Sequence, residues 1–131
     1  MQPTPPQATA RPAQALSISQ MLHLMRVEMD RAQEHGYPIS CMMIGLDGFL
    51  GEENVPLRRC IMPRVFSTLK ALTGAQNIRG VGLMKEHVLL AVFPHFGPGP
   101  TGALAEQLIE HAAKLDVDGL AEDQSIRLSI G

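Results

Sequence analysis

The chain has 131 residues, 45% hydrophobic and 18% charged, which is the balance of a folded globular domain and excludes a disordered segment. Its formal net charge of −2 gives no reason to expect binding to nucleic acid or to an anionic membrane surface. No apolar run approaches the roughly 18 residues of a membrane-spanning helix, and the N-terminus lacks the apolar core of a secretory signal, so we expect a cytoplasmic protein.

The N-terminal residues 1–15 are rich in proline, glutamine and alanine. Such a stretch has too few large apolar side chains to form a core. We therefore predict a flexible tail or linker over residues 1–15 and a single folded domain over residues 16–131. The two cysteines, Cys41 and Cys60, lack the spacing of a metal or redox motif. We interpret both as reduced thiols that act as small hydrophobic residues.

Ser17 and Gln20 form the sequence pattern of a capping box, which predicts that a first helix begins here. Gly36 is suited to end this helix, because glycine adopts the left-handed conformation of a helix C-terminus at little cost. Apolar residues recur at alternating intervals of four and three along the segment, which predicts one face packed on the core. The residues of this face are Ile18, Leu22, Met25, Met29 and Ala32.

A continuous apolar run from residue 39 to residue 46, bounded by Pro38 and by Asp47-Gly48, predicts a strand buried on both faces. After a polar loop over residues 51–54, helical periodicity predicts a second helix, which Pro63 either opens or kinks. The apolar face of this helix carries Val65, Leu69 and Leu72.

Two strands over residues 78–84 and 88–93 are predicted next, joined by a turn at Lys85-Glu86-His87. The glycines and prolines of residues 95–102 predict a loop, and Thr101 is placed to cap a third helix. The apolar face of that helix carries Leu104, Leu108 and Ala112. In the final strand, apolar residues alternate with polar ones, and the apolar residues are Ile126, Leu128 and Ile130. Behind the first helix the order of elements is β-α-β-β-α-β, which predicts an α+β fold, the ferredoxin-like α/β sandwich.

The passage from Glu28 to Phe49, EMDRAQEHGYPISCMMIGLDGF, resembles the entry to a GGDEF domain, the diguanylate cyclase family. Residues 89–94 resemble the F-x-V-L-L-P segment of that family, and residues 127–131 are similar to its V-T-V-S-I-G strand. The resemblance implies a ferredoxin-like palm of the nucleotide-cyclase type with a leading N-terminal helix. The family continues beyond this point through a hairpin, a strand and a helix, so we expect a C-terminally truncated copy or part of a longer protein.

The positions that bind metal and nucleotide in the family carry other residues in this chain. Gly45 stands at the first aspartate of the D-x-D motif. The G-G-D-E-F pentapeptide that gives the family its name aligns with residues 85–89. Lys85 and Glu86 replace its two glycines, and His87 replaces its acidic third position. Magnesium prefers hard oxygen ligands, for which neutral imidazole is a poor substitute. Because such phosphoryl transfer depends on metal ions, the resemblance implies no catalytic residue, no metal and no Mg–GTP cofactor.

Asp47 remains at the second position of D-x-D, which is not the principal metal ligand in the family. We interpret it as a strand-end carboxylate that caps local backbone amides. The candidate nucleotide-binding residues are the family's cleft positions: Gly45, Asp47, Lys85, Glu86 and His87. The lysine that follows D-x-D-x-F in the family aligns with Leu50. The two family residues that read guanine fall near Glu53 and Met62. The inhibitory R-x-x-D motif of the family aligns with residues 76–79 and is not matched there.

Three functions stay open from the sequence. The one we favour is a catalytically inactive GGDEF-like signalling domain of a bacterial, cytoplasmic protein, acting as a regulatory or protein-interaction module. Its protein partner or adjacent domain would contact the first helix, without nucleic acid or membrane. The second is a nucleotide or cyclic di-GMP receptor that has lost turnover. The third is a residual diguanylate cyclase, which makes cyclic di-GMP from two GTP, with a metal site rebuilt from Asp47 and Glu52 or Glu53.

Overall fold

The predicted order of helices and strands is confirmed in the computed structural model, which describes residues 15–49 and 51–131. The elements are β1 (Ala15–Leu16), α1 (Ile18–His35), β2 (Ile39–Asp47), α2 (Val55–Thr73), β3 (Gly80–Lys85), β4 (Val88–Pro94), α3 (Pro98–Ala113) and β5 (Arg127–Ile130). Short 3-10 turns at Glu52–Asn54 and Ala75–Asn77 flank α2. Residues 1–14 of the predicted tail lie outside the described residues, and Ala15 belongs to β1.

One five-stranded sheet, in the order β1-β3-β4-β2-β5, organises the described part of the chain. The short β1 pairs with β3 in parallel, whereas the other neighbouring strands pair antiparallel. Without β1, the four remaining strands and the helices α2 and α3 have the connectivity of the predicted ferredoxin-like sandwich. The predicted fold class is therefore confirmed, with β1 as an addition that the sequence pattern did not indicate.

The two faces of the sheet are covered unequally. Helices α2 and α3 lie on one face, where the main core contains Met42 and Ile44 of β2, Ile61 of α2, Phe93 of β4 and Leu108 of α3. Helix α1 lies on the other face, where Met21 packs with Leu90 and Val92 of β4. This second cluster covers the β3 and β4 side of the face, and the β2 and β5 side has no helix over it among the described residues.

Helix α1 begins and ends as the sequence predicts. The Gln20 backbone N–H donates to the Ser17 hydroxyl at 3.1 Å, and the Ser17 N–H donates to the Gln20 side-chain carbonyl at 2.9 Å. Gly36 ends the helix at a φ of 71°, in the left-handed region. The capping box and the glycine C-cap are both confirmed.

The predicted inward face of α1 is wrong for three of its five residues. Ile18, Leu22 and Met29 are 44%, 58% and 54% exposed, whereas Met21 and Glu28 are buried. The helix turns this buried line toward the sheet because Gly80 and Gly82 of β3 leave room there. A Cβ at Gly82 would overlap the Met21 side chain and lie 2.9 Å from the Leu16 carbonyl oxygen.

A partly buried ion pair joins α1 to Arg79, the residue directly before β3. The Glu28 side chain is 3% exposed, and its Oε2 lies 3.0 Å from Nε of Arg79 and 3.7 Å from Nη1 of Arg31. A carboxylate removed from water is stabilised by a nearby guanidinium and is costly without one. Glu28 therefore connects α1 to the start of β3. The apolar periodicity of the helix did not predict that this charged residue would be buried.

Strand β2 is not buried on both faces, which corrects the sequence prediction. Met42, Ile44 and Leu46 are buried in the main core, whereas Cys41 is exposed and Met43 is 47% exposed. The alternation shows that only one side of β2 is covered, because α1 lies over β3 and β4 instead. Cys41 and Cys60 are both free and exposed.

The proline positions required two further corrections. Pro63 does not open α2, since the helix begins at Val55 and continues through Pro63 to Thr73; the predicted alternative, a kink at Pro63, stays a prediction. Helix α3 begins at Pro98, within the predicted loop, because a proline in the first turn lacks only an N–H that has no helical partner there. Thr101 lies inside α3, where its hydroxyl donates to the Gly97 carbonyl. Among the described residues, no helix is long and apolar enough to cross a membrane.

Candidate functional site

The predicted site positions meet at one end of the sheet, where β2 ends and the β3–β4 hairpin turns. Gly45 pairs with Val88 of β4, and Val88 also pairs with Lys85 across the turn. Glu86 and His87 form that turn, and the Leu46 N–H donates to the His87 carbonyl oxygen at 2.9 Å. The structure thus places these four positions together on the backbone.

Asp47 lies beyond this group, on the β5 side of β2. It is opposite Arg127 in the strand register, and the Ser129 hydroxyl lies 2.8 Å from each of its carboxylate oxygens. The interpretation of Asp47 as a cap of backbone amides is therefore replaced by a side-chain contact with the neighbouring strand. This contact occupies the one carboxylate that survives from the family's D-x-D.

Glu86 is held by a buried arginine. Arg58, 6% exposed, comes from the first turn of α2, and its Nη2 lies 2.7 Å from Oε2 of Glu86. Its Nη1 donates to the carbonyl oxygens of Phe49 and Gly51 at 2.7 and 2.9 Å. One guanidinium therefore fastens the loop after β2 to the turn of the β3–β4 hairpin. We call this set of contacts the Arg58 clamp.

The Arg58 clamp was missed from the sequence, although a signal for it exists. Arg58 precedes Ile61, Val65 and Leu69 at intervals of three, four and four, so it lies on the buried face of α2. Because a charge removed from water is costly without a compensating contact, a buried arginine is seldom left unpaired. The periodicity identifies Arg58 as unusual, but the partner Glu86 is far away in sequence and was not predictable.

The pKa of Glu86 is lowered from its ordinary value chiefly by the hydrogen bond from Arg58; partial removal from water opposes this, and the charges of Arg58, Arg59 and His87 lower the pKa further. A carboxylate with a lowered folded-state pKa stabilises the fold above its unfolded pKa, and this contribution is lost as the pH falls through the folded value. We therefore expect wild type to exceed Glu86→Gln in unfolding free energy near pH 7, with a difference that shrinks below about pH 4.5.

The measurement is urea denaturation of both chains between pH 7 and pH 3, followed by the difference between their unfolding free energies. The other carboxylates contribute equally to the two chains and cancel in the difference. A difference that stays constant down to pH 3 would contradict the assigned contact.

The residues at this end of the sheet do not fit a magnesium–triphosphate site. Two-metal phosphoryl transfer needs carboxylate oxygens that face the metals, and Gly45 offers none. The Glu86 carboxylate accepts a hydrogen bond from Arg58, and the Asp47 carboxylate accepts one from the Ser129 hydroxyl. Among residues 15–49 and 51–131, no three His, Cys, Asp or Glu side chains form a group that could hold a metal ion.

The remaining family positions also have other roles or lie elsewhere. Met62 is 4% exposed in the main core, so it is unavailable to read a base. Glu53 is exposed, and Arg79 of the former inhibitory motif is paired with Glu28. Leu50 lies outside the described residues.

Comparison with known proteins identifies the fold but gives no close relative. No protein-family model matches the sequence, and no curated protein matches it. The FimX GGDEF domain of Pseudomonas aeruginosa superposes with a TM-score of 0.71 at 16% identity, over 89% of this chain and 73% of that one. The active GGEEF domain of a Vibrio cholerae diguanylate cyclase superposes with a TM-score of 0.66 at 17% identity, over 80% and 67%.

The diguanylate cyclase SiaD of P. aeruginosa, solved in complex with its activator SiaC, is also similar. Its TM-score is 0.63 at 20% identity, over 89% of this chain and 45% of that one. These similarities agree with the resemblance found in the sequence. The chain has the fold of a GGDEF domain.

Proposed function

We propose that this chain is a catalytically inactive GGDEF-like domain that acts in cyclic di-GMP signalling as a regulatory or protein-interaction module. The observation that carries the proposal is the Arg58 clamp. It uses Glu86, at a position where the family has a glycine, to close the hairpin against the loop after β2. A hairpin held in this way leaves no permissive glycine backbone for a nucleotide phosphate, and its carboxylate is neutralised.

The proposal includes a protein partner or an adjacent domain, in the cytoplasm of a bacterium. SiaD is an example of a protein with this fold that was solved together with a protein activator. On this chain, α1 carries the apolar side chains Ile18, Leu22 and Met29 on an exposed side. Exposed apolar side chains grouped on one side of a helix suit an interaction site.

The test is an assay of nucleotide turnover. The chain is incubated with GTP and either magnesium or manganese, and the products are separated by chromatography, with the active V. cholerae GGEEF domain as a positive control. We expect no cyclic di-GMP, because Gly45 offers no carboxylate, Oε2 of Glu86 is bound by Arg58, and the Asp47 carboxylate accepts from Ser129. Formation of cyclic di-GMP above the protein-free background would reject the proposal.

A thermal-shift series with GTP and with cyclic di-GMP separates the receptor alternative. A ligand that binds only the folded state raises the unfolding midpoint by mass action. We expect no rise with either nucleotide at millimolar concentration, since Arg79 is paired with Glu28 and Glu86 with Arg58. A concentration-dependent rise would show that the domain is a nucleotide receptor.

A further inference from the structure

The guanidinium of Arg58 is only partly satisfied by the Arg58 clamp. Its Nη1 donates to two carbonyl oxygens and its Nη2 to Oε2 of Glu86. Its Nε is removed from water and has no hydrogen-bond partner among the described residues. Nε and Nη2 lie along one edge of the planar guanidinium, and such an edge matches the two oxygens of a carboxylate. Glu86 therefore fills only half of an edge that suits a bidentate carboxylate.

The position of Glu86 explains why Nε is left without a partner. Glu86 stands in the two-residue turn between β3 and β4, so its backbone is fixed by the hairpin. Its carboxylate is shared, since Oε2 lies 2.7 Å from Nη2 of Arg58 and Oε1 lies 3.8 Å from Nη2 of Arg59. The Glu86 side chain is also 48% exposed, so it can leave Arg58 for water without disturbing the core.

We propose that the Nε–Nη2 edge of Arg58 is a binding site for the carboxylate of an acidic side chain of a partner protein, and that Glu86 occupies this site in the free domain. The inference rests on the proposed function as an interaction module and names the chemical group of the partner. Because Glu86 is tethered nearby, it competes with the incoming carboxylate at a high effective concentration. Glu86 is thus an autoinhibitory contact.

The charges around this edge favour an anion. Arg58 is 6% exposed, and its buried positive charge is costly without a negative charge beside it. Within the described ranges, Glu86 carries the one carboxylate within 4 Å of an Arg58 nitrogen. Arg59 supplies a second guanidinium on the same side. A carboxylate that displaced Glu86 would therefore meet two arginines and could use the donor that Glu86 leaves unpaired.

Glu52 and Glu53 are the carboxylates that follow the loop part of the Arg58 clamp. Both residues are exposed. Glu53 lies beside Gly51, where an added Cβ would overlap its carboxylate. That is the side of the clamp on which Nη1 of Arg58 binds the Gly51 carbonyl, and not the Nε–Nη2 edge. Glu53 is still near enough in sequence to replace Glu86 once that residue is removed, so the test includes its substitution.

The test removes the internal carboxylate and supplies a free one. The unfolding midpoint of the full chain is measured for wild type and Glu86→Ala against sodium acetate, with sodium chloride at equal ionic strength. Acetamide, the neutral analogue of acetate, controls for shape. A ligand that binds only the folded state raises the midpoint by mass action. We expect a saturable rise with acetate in Glu86→Ala, at a concentration roughly tenfold lower than in wild type, and no rise with acetamide.

Further variants locate the site on Arg58. Adding Arg58→Met to Glu86→Ala should abolish the response to acetate. Adding Arg58→Lys, which keeps the charge but not the two-donor edge, should weaken the response by roughly tenfold. Adding Glu53→Gln should leave the response intact. Glu106→Ala removes an exposed glutamate of α3 instead, and this variant should respond as wild type does. Circular dichroism confirms that each variant is folded.

Two blocked peptides test whether a protein side chain can supply the carboxylate. Acetyl-Gly-Glu-Gly-amide carries one glutamate carboxylate and no free terminus, and its glutamine counterpart carries none. We expect the glutamate peptide to raise the midpoint of Glu86→Ala and the glutamine peptide to leave it unchanged. A response to acetate without a response to the glutamate peptide would overturn the assignment to a partner side chain.

Other outcomes would overturn the site itself. These are an absent response to acetate in Glu86→Ala, an equal response to acetamide or chloride, or a response that survives Arg58→Met. Stronger stabilisation by inorganic phosphate than by acetate would also overturn it, because the preferred ligand would then be a tetrahedral oxyanion. Cyclic di-GMP synthesis would reject the proposed function, whereas an unresponsive Glu86→Ala variant of an inactive domain would reject this inference alone.

Discussion

Replacing Gly82 by valine is expected to lower the free energy of unfolding by about 3 kcal/mol, at the upper end of the range for overpacking. Gly82 lies in an extended strand, so its role is to let α1 and β1 approach the sheet. A Cβ there would overlap Met21, which can move, and would lie 2.9 Å from the Leu16 backbone oxygen, which cannot move without breaking the β1–β3 pairing. The melting temperature should fall by roughly 10 °C.

Gly45→Val is the matched control for this prediction. Gly45 lies on the same face of the same sheet, but the nearest atom to an added Cβ there is the Ser129 oxygen at 3.7 Å, an ordinary contact. Because valine suits a strand better than glycine, we expect a change of less than about 1 kcal/mol. Urea denaturation of both variants makes the comparison. Equal destabilisation of the two would show that α1 does not depend on the open surface of β3.

Replacing Arg58 by methionine is expected to destabilise the domain by about 2–4 kcal/mol, because it removes three hydrogen bonds from one buried guanidinium. Besides lowering the free energy of unfolding of the whole domain, the substitution should loosen the loop after β2. Hydrogen exchange of the backbone amides in residues 51–54 should quicken, since the loop after β2 loses its attachment to the hairpin.

Arg59→Met provides the control in the same helix turn. Arg59 is 74% exposed and lies 3.8 Å from the other carboxylate oxygen of Glu86. An exposed ion pair of this kind contributes less than about 1 kcal/mol. We therefore expect Arg59→Met to change neither the denaturation midpoint nor the exchange pattern appreciably. Similar losses in the two variants would mean that the Arg58 clamp does not hold the loop.

Local signals in the sequence were sufficient to predict the helices and strands other than β1. The capping box at Ser17 and the C-cap at Gly36 each depend on residues within one turn of the helix, so they were identified correctly. The βαββαβ order followed from apolar periodicity and breaker residues. The start of α3 was placed too late because prolines in a first helical turn resemble those of a loop.

The packing of α1 was not predictable in the same way. An interval of four and three shows that Ile18, Leu22 and Met29 share a side of the helix, but not whether that side faces the sheet. The orientation is decided by Gly80 and Gly82 of β3 and by the pairing of Glu28 with Arg79, which are contacts distant in sequence. The same distant packing left β2 half covered, contrary to the prediction from its continuous apolar run.

The site could be predicted as a set of positions but not as a set of contacts. The family resemblance assigned Gly45, Lys85, Glu86 and His87 to one place, and the backbone brings them together there. It gave no indication that Glu86 would be bound by Arg58. The contact of Asp47 with Ser129 was equally hidden, because it joins strands that are 82 residues apart in sequence.

Calorimetric titration of the full chain with GTP in the presence of magnesium tests the central claim most directly. With Glu86 held by Arg58 and no carboxylate at Gly45, the described residues at this end of the sheet do not offer the pair of carboxylates that would hold magnesium beside a triphosphate. We expect no saturable heat up to millimolar nucleotide. A saturable heat that requires magnesium and disappears with EDTA would contradict the account.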